Sequence, residues 1–275
     1  MEKQKSKDLK EIAHRVRENI LRISARGGAF TGASLSCADL VVYLYNEFLN
    51  IRQETLDSPE RDYFFLSKGH AVPVIYSTFV ELGWMDQARL ENHSKTIDDI
   101  YLHPNRKIPG VEFHAGSLGH ILSVATGVAI DCKARKSGNK IVCLLGDGEL
   151  NEGSNWEAAL TAAAYNLDNL TVIIDRNRFQ ANITTEDLIP LEPIDDKFRS
   201  FGWAAARING HDFEIIDEAA QSLPLERKKP TVIIADTVRG KGVPSIENRW
   251  DKWMCNFSEE ELDQVVGELR SAKAI

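Results

Sequence analysis

Asp147 sits inside Gly146-Asp147-Gly148, at the end of the apolar run IVCLL, and Asn177 follows the next such run, LTVIID, about 30 residues later. A carboxylate and a side-chain amide at two strand ends suit a hard divalent cation such as Mg2+. That ion takes about six oxygens near ~2.1 Å and shares them among a carboxylate, carbonyls, phosphates and water. Gly146 and Gly148 would let a diphosphate approach the backbone with no Cβ in the way. Gly-Asp-Gly alone is compatible with an ordinary turn; the paired amide is what points to a cofactor.

The elements around these residues are legible in the apolar spacing. Leu9, Ile12, Val16, Ile20 and Ile23 recur at helical intervals and predict a helix over 8–25; Leu40, Leu44 and Phe48 predict a second over 36–50. Between them RGGAFTGAS reads as a loop in which backbone comes close to something. DYFFL is a short strand that stops at Ser67-Lys68-Gly69-His70, and a helix through Val74, Phe79 and Leu82 is closed by Gly83. Residues 92–112 are polar, contain Pro104 and Pro109, and form a long loop of the kind that is often functional. A helix is expected over 121–135. A strand over 140–145, a helix over 156–164 and a strand over 170–175 then make one βαβ unit, and 231–237 is a further buried strand. Strands buried on both faces and alternating with helices imply an α/β fold: a doubly wound, mostly parallel sheet with helices on both faces. No repeat or linker divides residues 1–275, so a single domain is expected.

A chain of 275 residues with 43% apolar content can build a large core. The formal charge of -8 and the pI near 5.5 argue against nucleic-acid or anionic-membrane partners. The charged opening MEKQKSKDLKEI lacks an apolar h-region, and no run is long and apolar enough for a membrane span, so a cytoplasmic protein is expected. Cys37, Cys132, Cys143 and Cys255 show no CxxC spacing and read as reduced, mostly buried thiols. His14, His93 and His211 lack a surrounding motif and read as surface or packing residues; Trp250, Trp253 and Met254 read as a core or interface cluster.

GDG followed by Asn177 resembles the thiamine diphosphate motif. SKGHA at 67–71, His103-Pro104, PGVE at 109–112, GSLG at 116–119, GDGELNEG at 146–153 and Lys241-Gly242 stand in the order and near the spacing seen in transketolases. The resemblance spans almost the whole chain and covers the N-terminal, diphosphate-binding third of a transketolase, as in the small subunit of split enzymes. It implies thiamine diphosphate and Mg2+ as cofactors. Asp147, Asn177 and the carbonyl of Phe179 would bind the metal, and Gly146 and Gly148 would line the diphosphate. Lys68 and His70 would lie near cofactor and substrate, Gly116 and Leu118 would touch the aminopyrimidine, and Lys241 would reach the site from the end of TVIIADT. His70 and His103 are the catalytic candidates, and Glu152 would help join the two cofactor-binding domains. The activating glutamate belongs, in that family, to a pyrimidine-binding domain, which is expected on a partner subunit. Two copies of this chain with two of the partner would form a heterotetramer, inactive without both.

The sequence also departs from the resemblance. Phe30 stands where transketolases carry the histidine of Gly-His-x-Gly, and Trp253-Met254 stands where a histidine follows the Lys-Gly pair. His120-Ile121 replaces the Gln-Gly that normally follows GSLG. Losing two hydroxyl-binding groups implies a non-standard donor or acceptor, a ketose or a 2-oxoacid, for the transferred two-carbon ketol or acyl unit. An α-type subunit of a 2-oxoacid dehydrogenase or decarboxylase would share GDG and Asn177 but not SKGH or GSLG. A non-catalytic homologue that serves in assembly is the reading from a different class.

Overall fold

The computed structural model describes residues 1–272. Five strands form one sheet: β1 (Tyr63–Leu66), β2 (Ile141–Gly146), β3 (Leu170–Arg176), β6 (Ala204–Asn209) and β7 (Thr231–Asp236). Their order is β1-β2-β3-β7-β6, and every neighbouring pair is parallel. A two-stranded antiparallel hairpin, β4 (Phe179–Gln180) with β5 (Ile183–Thr184), follows β3 directly. Every residue of β2 and β3 is buried, as central strands of a parallel sheet covered on both faces require.

Alternate residues of each strand feed two cores. Leu66, Val142, Leu144, Ile173 and Ile233 face one side, packed with α1 (Lys3–Ser24), α3 (Ala38–Tyr43), α4 (Pro73–Glu81) and α9 (Phe213–Gln221). Phe65, Cys143, Leu145, Val172 and Ile234 face the other, packed with α5 (Ile121–Ala134), α6 (Gly153–Ala164) and α8 (Ile194–Ser200). The doubly wound sheet expected from the apolar runs is therefore present. All four cysteines are buried and free.

The N-terminal half refines the reading of 25–50. The loop after α1 is short: Gly27 and Gly28 turn the chain at positive φ, and α2 (Thr31–Ser36) already begins within RGGAFTGAS. The expected helix over 36–50 is α3 from Ala38, separated by Cys37 from α2 and continued as a wider turn over Leu44–Phe48. Periodicity carries across such breaks because apolar residues keep facing the same core. Pro73 opens α4 at its first turn, and Gly83, at φ +74, ends it, as the sequence implies. The edge strand β6, AAARIN, has no run of β-branched residues to reveal it; pairing with β7 makes it a strand. The hairpin, α7 (Thr185–Leu188) and α10 (Glu259–Ala272) are further elements that the sequence reading does not supply.

Candidate functional site

A cavity of about 320 Å³ opens beyond the carboxyl ends of β1, β2, β3 and β7. Ligands in open α/β sheets bind at that end. Lys68, His70, His103, Gly116, Leu118, Gly146, Asp147, Gly148, Asn177 and Phe179 all line it, so the residues singled out in five separate stretches of chain meet in one place.

The strand register explains much of this. Gly146 pairs with Asp175, so Asp147 and Asn177 leave adjacent strands at the same level. Asp175, fully buried, is the hub below the cavity floor. It forms an ion pair with Lys68 and accepts hydrogen bonds from Ser36 Oγ (2.6 Å), Asn177 Nδ2 (2.8 Å) and Thr237 Oγ1. Burial opposes both charges, but the pairing prevails: Lys68 stays above and Asp175 below its ordinary range. Because its amide nitrogen is tied to Asp175, the Asn177 Oδ1 is fixed and accepts from the Phe179 N–H (3.1 Å).

Asp147 is also almost fully buried. Its Oδ1 accepts from Gly148 N (2.8 Å), and its Oδ2 from Arg176 Nη1 (2.9 Å) and Arg178 N (2.5 Å). Burial, and then the nearby Asp175 charge, push Asp147 up to about 6 in spite of Arg176. A carboxylate held so unfavourably is a place where a cation gains energy. Glu149 ties three segments together, accepting from Ser67 Oγ, Gly119 N (2.9 Å) and Gly146 N (3.1 Å) at the end of β2. Gly148 is required sterically: a Cβ there would lie 2.7 Å from Gln180 Cβ of the hairpin.

Lys241 does not reach the cavity. Gly240, at φ +78, donates its N–H to Gly32 O (3.0 Å), and this turn sends Arg239 inward and Lys241 outward toward Glu247 and a separate cleft beside Arg17, Asp39 and His211. Arg239 is the residue that sequence reasoning missed. It is 2% exposed, lies over the Phe179 ring and donates Nη1 to Ala181 O, while its Nε and Nη2 have no partner. Its signal was available, an arginine two residues before the chosen lysine, but only the turn decides which of the two faces inward. Burial lowers Arg239 to about 10, which leaves it cationic at neutral pH.

The remaining wall is aromatic. Phe30 contacts His70 edge-on at a centroid distance of 5.4 Å, Trp253 at 5.1 Å and His103 at 6.5 Å. Trp253 thus belongs to the cavity rather than to a core, and Trp250 and Met254 are exposed. Burial, then the Lys68 charge, depress His70 to about 3, and burial lowers His103; both rings are neutral at physiological pH. His93 is buried and bonded to Gly28 O (3.2 Å), and His211 bridges Asp39 Oδ2 (2.7 Å) and Val238 N (2.8 Å), so both pack rather than line the cavity.

The donor set fits a diphosphate held with a divalent cation. Asp147, Asn177 Oδ1 and a main-chain carbonyl supply oxygens, Gly146 and Gly148 leave backbone approachable, and the orphaned Arg239 nitrogens call for an anion. Among the described residues no cluster of three or more His, Cys, Asp or Glu could hold a metal alone.

Fold and cavity together define a doubly wound α/β protein with a polar pocket, lined by glycine backbone and charged side chains, at its strand ends. The chain belongs to the family described as transketolase, thiamine diphosphate binding domain, whose profile matches residues 12–270. It is 40% identical over 260 residues to one of the separately named subunits of apulose-4-phosphate transketolase from Actinobacillus succinogenes, covering 93% of this chain and 94% of that one. Human transketolase is 33% identical over 285 residues, and this chain covers 44% of it. Among solved structures, transketolase from Campylobacter jejuni matches with a TM-score of 0.83 at 27% identity, covering 97% of this chain and 43% of that one. The chain is thus similar along its length to a separate subunit, whereas it spans under half of the one-chain enzymes.

Proposed function

We propose that this chain is the diphosphate-binding subunit of a two-component transketolase-like transferase, which moves a two-carbon unit with thiamine diphosphate and Mg2+. The observation that carries the reading is the meeting of Asp147, Asn177 and Arg239, whose Nε and Nη2 lack protein partners, around glycine backbone in one cavity. Asp147, Asn177 Oδ1 and the Phe179 carbonyl would hold the metal; Arg239, Gly146 and Gly148 would receive the diphosphate; Gly116 and Leu118 would contact the aminopyrimidine. When bound, thiamine diphosphate supplies a carbon able to stabilise the electron pair left by breaking a carbon–carbon bond beside a carbonyl. His70 and His103, both neutral, can each donate and accept one proton-bearing contact at a substrate oxygen. Lys68 would act indirectly, by fixing Asp175 and through it Asn177.

Relatives whose names make them one component of a multi-subunit transketolase support a partner chain carrying the pyrimidine-binding half, and we infer a heterotetramer of two copies of each. Among the described residues no helix is long and apolar enough to cross a membrane. Four buried free thiols are consistent with a reducing cytoplasm. The test is a thiamine diphosphate titration of the co-expressed complex, followed by tryptophan fluorescence with and without Mg2+. Saturable, Mg2+-dependent binding that Asp147→Ala abolishes is expected; unchanged affinity in that variant refutes the site.

A further inference from the structure

Two segments far apart in the chain build the aromatic wall, and backbone pairing holds them together. Ala29 and Cys255 exchange both backbone hydrogen bonds, at 2.9 Å each, in an isolated antiparallel bridge. Residue 30 is thereby set beside residue 253, and their rings meet at 5.1 Å in the cavity. A Cβ on Gly28 would come within 3.0 Å of Met254 Cε, so the seam is close-packed behind the wall. The Phe30 carbonyl accepts from Ser34 N (3.2 Å) and Oγ (3.0 Å), and its ring contacts His70, His103 and Trp253 in the cavity wall.

Among the described residues, this chain's side of the cavity mouth offers the Phe30 ring two hydrogen-bonding neighbours. These are His70 and His103, and Trp253 packs against the same Phe30 ring. Two neutral imidazoles can serve a carbonyl oxygen and one further polar group. A polyhydroxylated chain running along the wall would leave hydroxyls against carbon, each losing the hydrogen bond it makes in water. A short donor whose leaving portion carries no hydroxyl meets no such loss. An apolar surface also favours a departing carboxylate, because its charge disappears as neutral CO2 forms.

Resting on the proposed function of this site, we infer that Phe30 and Trp253 are specificity-determining residues that fit the enzyme to a short 2-oxoacid donor in preference to a ketose phosphate. In that reaction the C1–C2 bond of the 2-oxoacid breaks and CO2 leaves. The electron pair remains on C2 and then forms the new bond to the carbonyl carbon of an acceptor aldehyde, whose oxygen takes up a proton. No oxidant is consumed. The relatives named for apulose 4-phosphate make that ketose the sharpest competitor.

The test uses the co-expressed complex. Cofactor binding is read first by tryptophan fluorescence; then kcat/KM is measured for pyruvate, hydroxypyruvate, xylulose 5-phosphate and apulose 4-phosphate, with CO2 release and aldose or ketose release as separate readouts. A 2-oxoacid should lead both ketose phosphates by about tenfold or more, the discrimination that one unpaired hydroxyl provides. Phe30→His should cut that ratio by about tenfold or more through gain on the ketose phosphates, at unchanged cofactor affinity; Phe30→Leu, which keeps the wall apolar, should preserve it. If the cofactor binds and either ketose phosphate leads, the inference falls while the proposed function stands. If Phe30→His leaves the ratio within about threefold, the wall is not its cause. Absence of cofactor binding overturns both.

Discussion

Replacing Lys68 by Met would strand Asp175. The two side chains form an ion pair at 1% and 0% exposure, and Lys68 Nζ also donates to Ala33 O at 2.9 Å. Removing one member of such a pair costs ~3–5 kcal/mol, because the other charge stays buried without its partner. Ser36, Asn177 and Thr237 still donate to the Asp175 carboxylate, which places the expected loss at the lower end, about 3 kcal/mol. At ~2–4 °C per kcal/mol for a domain of roughly this size, Tm should fall by about 6–12 °C. The assay is urea unfolding of the isolated chain followed by circular dichroism, with the midpoint falling at constant slope. The double variant Lys68→Met/Asp175→Asn removes both charges and should recover to within about 1 kcal/mol of wild type, giving a coupling of ~2 kcal/mol or more. In the wild type, Asp175 lies below its ordinary value of 3.8, so its contribution is present above that pH and lost as pH falls through the lower folded value. A loss under ~1 kcal/mol in the single variant, or strict additivity in the double, would refute the reasoning.

Arg239→Ala should weaken Mg2+–thiamine diphosphate binding by ~10- to 150-fold, the worth of a buried charged hydrogen bond at ~1.5–3 kcal/mol, beyond any apo-chain destabilisation from losing the Nη1 bond to Ala181 O and the Phe179 contact; calorimetric titration of the complex checks it. Gly148→Ala should cost ~1–3 kcal/mol in thermal unfolding, because the added Cβ would lie 2.7 Å from Gln180 Cβ and the hairpin must shift. His70 has a folded value of about 3 against 6.5 when exposed, so the unfolded chain takes up the proton first. Stability should be full above pH 6.5 and decline as pH falls toward 3, and His70→Gln should flatten that slope in urea titrations between pH 4 and 8.

Asp147, Asn177 and their glycines were legible in the sequence because strand ends in a parallel sheet follow directly from buried apolar runs. IVCLLG and LTVIIDR are short, continuous and bounded by turn residues, so their ends could be read locally, whereas the register that sets Gly146 beside Asp175 is shown by the structure. SKGH and GSLG were likewise legible as motifs, and both meet the cavity. Side-chain direction after a turn was not. Arg239 and Lys241 flank one glycine, and only the bond from Gly240 to Gly32, a contact between distant segments, turns the arginine inward. The aromatic wall shows the same limit. Phe30 and Trp253 were each visible as departures, yet their meeting depends on the Ala29–Cys255 bridge, a pairing across most of the chain that no local periodicity encodes. Local spacing determined which groups stand at strand ends; tertiary packing alone decided which of the remaining side chains share the cavity with them, because loop orientation is set by backbone hydrogen bonds to segments remote in sequence.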